Sequence, residues 1–286
     1  MSPFIDWSPA LAAKLAGVHQ SIGGMSPVVV AYSGGIDSTL VAKLAHDVWG
    51  SQAVAVTANS VSLMPEDLDE AIAQADYLGL RHEIVETDEL GDPDYAANPV
   101  NRCYFCKREL HDTLRQWARE RGYAVVLDGL NADDLQDYRP GVQAARERGV
   151  YSPLAEWGIS KLEVRQLSHH LGLPWWDKPA QPCLSSRFPY GEAITAAKLA
   201  RVAAAERYLR GLGWRQVRVR SEQDTARIEL PVEHLLTFMQ TTDLPSLVET
   251  FRSAGFLYVS LDLEGYRSGK LNRVLLPSSP LPNLPS

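Results

Sequence analysis

The sequence predicts an α/β protein: a doubly wound parallel-sheet domain over residues 1–191, a smaller α+β domain over 192–276, and a tail at 277–286. Three observations carry this. Short apolar, β-rich runs alternate with helix-like segments through the first half, and strands separated by helices pair in parallel under helices on both faces. The alternation stops at residues 177–192, where Pro179, Pro182, Pro189 and Gly191 interrupt it. Beyond that stretch strands and helices recur in a different order.

The first helix is expected from the cap Ser8, through Pro9 in the first turn, to about Ser21, with Gly23 and Gly24 ending it. Strands are expected at 28–32, 53–57, 82–87 and 124–128, and helices at 38–49, 65–79 and 106–121. In the last helix Leu110, Leu114 and Trp117 share one face, with Arg108, Arg115 and Arg119 largely off it. The second domain reads as a helix at 195–211, alternating runs at 216–220 and 226–230, a helical pair near 232–240 and 244–254, and a strand at 256–261. Four prolines in the ten residues of the tail predict disorder there.

Composition narrows the function. With 28 Lys and Arg against 35 Asp and Glu, the formal charge is −7 and there is no cationic surplus for wrapping nucleic acid. No run approaches the ~18 apolar residues of a membrane span, so no membrane partner is expected. Residues 1–7 contain Asp6 and no basic region before an apolar run, so the expected location is the cytoplasm. Three cysteines, Cys103, Cys106 and Cys183, are an odd number in such a chain; metal or thiol chemistry is favoured over a disulfide framework.

The strand at 28–32 runs into Ser33-Gly34-Gly35-Ile36-Asp37-Ser38 and then directly into a helix. Paired glycines, two hydroxyls and a helix N-terminus converge on an anion site. Asp37 beside a phosphate calls for a divalent cation between them, and magnesium on a pyrophosphate meets that need. The loop lacks the lysine of the Gly-x4-Gly-Lys-Ser/Thr motif. A second cluster follows the fourth strand: Asp128, Gly129, Asn131, Asp133, Asp134, Asp137 and Arg139. Its acidic groups are either solvated or bridged by a cation, and Asn131 carries an amide suited to reading a nucleotide.

Cys103 and Cys106 form a C-x-x-C beside Lys107 and Arg108, with Cys106 expected near a helix start; both features favour thiolate. Three readings stand. The trio holds three irons of a [4Fe–4S] cluster with the fourth iron open; the trio and a histidine such as His111 bind zinc; or Cys103 and Cys106 are a redox pair and Cys183 a lone nucleophile. His111 lies five residues after Cys106, a poor offset for convergence on one tetrahedral ion. In the second domain Arg218 and Arg220 alternate with Val217 and Val219 and share one strand face. They suit a phosphate, or form an ordinary solvent face, with Arg227 and Glu229 as cross-strand partners.

The phosphate loop resembles the PP-loop of the ATP pyrophosphatase superfamily, whose Ser-Gly-Gly-x-Asp-Ser signature is matched at every position. Asp128-Gly129-x-Asn131-Ala132-Asp133-Asp134, Arg139-Pro140-Gly141, Pro182-Cys183-Leu184-x-Ser186-Arg187-x-Pro189-Tyr190-Gly191 and Leu261-Asp262-Leu263-Glu264-Gly265-Tyr266-Arg267-Ser268-Gly269 are similar to the LarE family over residues 10–275. The resemblance implies a PP-loop ATP pyrophosphatase domain that binds ATP and Mg2+ through Ser33, Gly34, Gly35, Asp37, Ser38 and Asn131. It implies adenylation of the carboxylates of pyridinium-3,5-biscarboxylic acid mononucleotide and their conversion to thiocarboxylates. It also implies a substrate site including Asp134, Arg187, Arg218 and Arg220, and assembly into a hexamer.

The three cysteines resemble the family branch in which a [4Fe–4S] cluster relays sulfide from a donor. In the other branch Cys183 gives up its own sulfur, and both sources stand. Asp37 and Cys183 are the expected catalytic residues; Cys103, Cys106 and Cys183 are the expected metal ligands. The rivals are an amide-forming or tRNA-thiolating member of the superfamily, and a nucleotide-binding iron–sulfur or zinc sensor without turnover.

Overall fold

The computed structural model describes residues 7–135, 140–179, 181–267 and 269–275. Asp137, Arg139, Ser268 and the tail at 277–286 lie outside the described residues. The chain divides into two compact units, one up to Pro182 and one from Cys183, so the loop 183–191 is grouped with the second.

In the first unit α1 (Pro9–Gly23) begins where Ser8 Oγ accepts from the Leu11 amide, the cap expected from sequence. Then come β1 (Val28–Ala31), α2 (Ile36–Trp49), β2 (Val54–Asn59), α3 (Pro65–Tyr77), β3 (Arg81–Glu86), the one-turn α4 (Pro93–Ala96), α5 (Arg102–Glu120) and β4 (Val125–Leu127). The strands pair in parallel in the order β3-β2-β1-β4. Side chains alternate across this sheet. Val28, Val30 and Ala55 pack with Leu40, Leu44, Ala71 and Val164 on one face; Val29, Val54 and Val56 pack with Leu114 and Trp117 on the other. Both faces are therefore covered, and near-continuous apolar strands such as Val28-Val29-Val30 are what that demands.

Three further helices, α6 (Pro140–Glu147), α7 (Pro153–Glu156) and α8 (Lys161–His170), follow β4. The apolar pattern of 140–156 is too short-ranged to show α6 and α7; α8 ends at the His169-His170 pair and carries a legible start, the reciprocal capping box of Ser160 and Glu163. The α5 helix starts at Arg102, four residues before the expected Cys106. Arg102 is buried and donates to Asn98 Oδ1, four residues earlier, at 2.5 Å, a local polar contact that an apolar periodicity does not show. Cys103 thus takes the first-turn position expected of Cys106.

His111, on the same helix, is fully buried and neither ring nitrogen has a hydrogen-bond partner among the described residues. Burial, with Lys107 and Arg148 nearby, pushes its pKa down to about 3. The unfolded chain binds this proton near pH 6.5, so stability is full above that value. It is lost as pH falls toward about 3. His111→Leu is expected to flatten the acid limb of a urea-unfolding series between pH 7 and 4.5 by up to about 1.4 kcal/mol per pH unit. It should also raise stability at pH 7 by relieving unpaired buried nitrogens.

The second unit holds α9 (Ala196–Gly211), β5 (Arg218–Glu222), β6 (Thr225–Glu229), α10 (Leu235–Thr241), α11 (Leu244–Ser253) and β7 (Tyr258–Leu261). β5 and β6 are antiparallel, β6 and β7 parallel. β5 runs two residues beyond its expected end because Ser221 is fully buried, accepting from Arg201 Nη2 at 2.7 Å, and Glu222 pairs with Thr225 across a turn with Gln223 at φ 52. Polar residues in a buried strand are invisible to an apolar alternation. Val202, Leu209, Val219, Ile228, Phe251 and Phe256 are among its buried side chains. No helix among the described residues is long and apolar enough to cross a membrane.

Candidate active site

The strand order places β1 between β2 and β4, so the chain changes direction of progression between β1 and β4. Ligands in such sheets bind outside the strand C-termini at this switch. The loops after β1 and β4 both start there.

The β1 loop is built around Gly34, at φ 66. A Cβ there would lie 2.9 Å from that of Ala71, so α3 presses on the turn and only glycine fits on both counts. Gly35 precedes α2 with no side-chain cap, which leaves the first helical amides to a ligand. Ser38 Oγ accepts from the Ser33 amide at 3.2 Å, donates to Gly35 O at 3.0 Å and lies 3.1 Å from Ser33 Oγ. The two hydroxyls therefore brace the turn.

Asp37 meets the second loop. Asn131 Nδ2 donates to Asp37 Oδ1 at 3.1 Å, and the Asn131 side-chain oxygen accepts from the amides of Asp133 and Asp134 at 3.0 and 3.3 Å. Asp134 Oδ2 in turn accepts from the Asn131 amide at 3.1 Å. Gly129 lets the loops close: a Cβ would stand 2.7 Å from the Ser38 amide nitrogen. Gly129→Ala is expected to force the β4 loop off α2; nucleotide affinity should fall while a thermal melt shows a folded chain. Asp128, buried at the strand end, accepts from the Leu130 amide at 3.2 Å, and burial pushes its carboxyl above the usual range.

Two lysines complete the site, and sequence reasoning missed both. Lys161 Nζ binds Asp37 Oδ2, while its backbone amide donates to Asp133 Oδ2 at 2.9 Å. Its available signal is the capping box, which puts Lys161 at the first position of α8. Lys178 Nζ donates to Gly34 O at 3.1 Å and pairs with Glu70 at 3.0 Å; no motif marks it. Ser33, Gly34, Gly35, Asp37, Ser38, Asn131 and Asp134 are thus gathered into one network in the first unit.

In the second unit Arg187 is 2% exposed and grips Glu206 with two bonds of 2.7 and 2.9 Å. Its Nη1 donates to Cys183 O at 3.0 Å and Ser186 Oγ at 2.9 Å, and Ser186 Oγ also donates to Cys183 O at 2.9 Å. Arg220 pairs with Glu229 at 2.7 Å and donates to Ser186 O at 2.8 Å. The backbone around Cys183 is therefore locked while its thiol stays partly exposed. Burial alone would raise the Glu206 carboxyl; Arg187 and Arg218 outweigh it and hold the pKa below the ordinary value.

Arg218 is buried, donates to Val217 O at 2.8 Å and lies 5.5 Å from the Tyr266 ring. This explains the turn after β7. Gly265, at φ 68, sits where a Cβ would be 2.6 Å from Leu230 O, and the Tyr266 amide donates to that same oxygen at 2.8 Å. The turn seats Tyr266 beside Arg218. Cys103 is exposed and Cys106 partly so, three residues apart on α5 and hence on one face; no disulfide joins the cysteines. Among the described residues, neither unit gathers three His, Cys, Asp or Glu side chains as a metal site.

The family model for NAD synthase matches residues 12–96, from α1 to α4. The pyridinium-3,5-bisthiocarboxylic acid mononucleotide synthase of Lactiplantibacillus plantarum is 43% identical over 266 residues, 93% of this chain and 96% of its own. The chain belongs to the LarE family of PP-loop, ATP-using enzymes. A second relative of this LarE-family chain, an uncharacterized protein of Synechocystis sp., is 64% identical over 93% of this chain and 99% of its own. A partial likeness is to the NH3-dependent NAD+ synthetase of Chlorobaculum tepidum, 38% identical over 53% of this chain and 55% of its own.

Proposed function

We propose that this chain adenylates the carboxylates of pyridinium-3,5-biscarboxylic acid mononucleotide at the expense of ATP and converts them to thiocarboxylates. The observation that carries the reading is Asp37: a carboxylate at a helix N-terminus, beside a loop of exposed amides, whose charge is met by a cation. The Lys161 ammonium shows that this position accepts positive charge, and a hard oxygen donor suits a magnesium ion. Magnesium held by Asp37 would supply charge neutralisation for pyrophosphate. The amides at the start of α2 and the hydroxyls of Ser33 and Ser38 orient the triphosphate tail. Asn131 keeps Asp37 turned toward it, and Lys161 is left to meet a phosphate oxygen.

A carboxylate oxygen of the substrate then attacks the α-phosphorus; the bond to the β-phosphate oxygen breaks and pyrophosphate leaves. Sulfur attack on the acyl carbon expels AMP and leaves a thiocarboxylate. With Cys183 as donor, its thiolate makes the acyl–sulfur bond, a base takes the Cα proton and the Cβ–S bond breaks, leaving dehydroalanine. The alternative is relay. The soft thiolate set Cys103, Cys106 and Cys183 suits iron, and a [4Fe–4S] cluster on these residues would supply an open iron for added sulfide. Arg187 and Arg220 fix the Cys183 backbone in either case. Arg218, beside Tyr266, is the guanidinium we assign to the substrate phosphate. The assembly we propose is a hexamer, and the exposed Leu236, Tyr258 and Leu263 give the second unit apolar surface for self-association.

Anaerobically purified chain, incubated with ATP, magnesium and the biscarboxylate, is expected to release AMP and pyrophosphate together. ADP in place of AMP, or no pyrophosphate with the substrate present, overturns the reading. Iron and sulfide counts with the intact mass after turnover decide the sulfur source: loss of one H2S from Cys183 marks self-donation, an unchanged mass with iron near four per chain marks relay.

A further inference from the structure

Lys178 carries no motif and touches none of the described acidic residues of the site, yet it takes hold of the phosphate loop's backbone. Its side chain is 11% exposed and divides its bonds between Gly34 O, at 3.1 Å, and Glu70. Glu70 also accepts from Gln74 Nε2 at 3.1 Å, and Gln74 Oε1 accepts from Thr39 Oγ1 at 3.3 Å. Gln74 and Thr39 are buried. The chain of bonds therefore starts on the loop at Gly34, crosses α3 and returns to α2 one turn beyond the same loop.

The peptide joining Gly34 to Gly35 is planar and trans, so its C=O and N–H point in opposite directions. Lys178 holds the C=O on one side, and this turns the Gly35 N–H to the other. On that side, among the described residues, the amide finds only Ser33 Oγ at 3.4 Å, beyond the usual range of an N–H···O bond. An amide so aimed and so loosely held is a ready donor to an anion. Glycine at 34, with its wide φ range, would otherwise let this peptide flip.

Resting on the nucleotide reading, we infer that Lys178 is a positioning residue: it sets the Gly34–Gly35 peptide so that the Gly35 amide faces the pyrophosphate end of the nucleotide. The adenosine end gains nothing from it. Lys178 therefore tunes affinity for the polyphosphate tail selectively.

The test uses the full chain, labelled with 15N-glycine, as wild type and as Lys178→Met, Lys178→Arg and Glu70→Gln. Each is titrated with magnesium pyrophosphate and, separately, with AMP. Lys178→Met is expected to shift the Gly35 amide resonance and to weaken pyrophosphate binding about tenfold, the size of one lost hydrogen bond to a charged group. AMP affinity stays at the wild-type value. Lys178→Arg, which still donates to the carbonyl, recovers most of the loss. Glu70→Gln breaks the ion pair but keeps the carbonyl bond, so it loses less. Unchanged pyrophosphate affinity in Lys178→Met, or an equal loss for pyrophosphate and AMP, overturns the inference. Wild type that binds no pyrophosphate overturns the nucleotide reading instead, and an unmoved Gly35 resonance in Lys178→Met then rejects the positioning role as well.

Discussion

Replacing Arg187 with methionine is expected to destabilise the second unit by about 3 kcal/mol, because it strands a buried carboxylate. Glu206 is fully buried and receives two bonds from Arg187, one from the Val219 amide at 2.9 Å and a longer one from Arg210 at 3.4 Å. Arg210 and Arg218 remain in the variant, which keeps the loss at the lower end of the range for a broken buried pair.

The pH dependence supplies the sharper signature. In the wild type Glu206 sits below its unfolded value, so its contribution is present above a pH of about 4.3 and fades as pH falls through the folded pKa. Without Arg187 burial dominates and the folded pKa rises, so the variant becomes relatively more stable as pH falls from 7 toward 5. Urea unfolding at both pH values, followed by far-ultraviolet circular dichroism, checks the size and the sign. A loss below about 1 kcal/mol with no change in pH slope would show that the ion pair is dispensable.

Asp37→Asn is expected to lower ATP cleavage by about a hundredfold or more, the scale of removing one electrostatic contact from a transition state. The substitution keeps the shape and can still accept from Asn131, but it removes the charge that Lys161 meets in this structure and magnesium in the proposed complex. The Asp37–Lys161 pair is partly exposed, so folding stability should change by less than about 1 kcal/mol. Pyrophosphate release measured against magnesium concentration is the assay. A higher half-saturating magnesium concentration together with a lower maximum fits the role. A wild-type magnesium curve would remove Asp37 from metal binding.

Much of the first unit was legible in the residues. Val28-Val29-Val30 running into Ser33-Gly34-Gly35 carries both the buried strand and the turn, because a parallel strand must be apolar on both faces and the turn must be glycine. The helical periodicity of Leu110, Leu114 and Trp117 is likewise that of the face packed on β1 and β2. What escaped was polar. Lys161 and Lys178 look like surface lysines in a linear reading, and Arg187 and Arg220 look like free cations awaiting a phosphate. In the fold Arg187 and Arg220 have carboxylate partners 19 and 9 residues away, and Lys178 reaches a carbonyl 144 residues earlier. Partners at such separations leave no periodicity.

The sequence by itself determined the alternation of strands and helices, the phosphate turn after β1 and the family, since each rests on local rules: burial periodicity, glycine dihedrals, contiguous motifs. Only the tertiary structure decided how charge is distributed among those parts. It set Lys161 on Asp37, closed Gly129 against the backbone of α2, and locked the Cys183 carbonyl under Arg187. Which cation meets which anion depends on chain segments that fold together from afar, and desolvation makes each such pairing obligatory once it is buried.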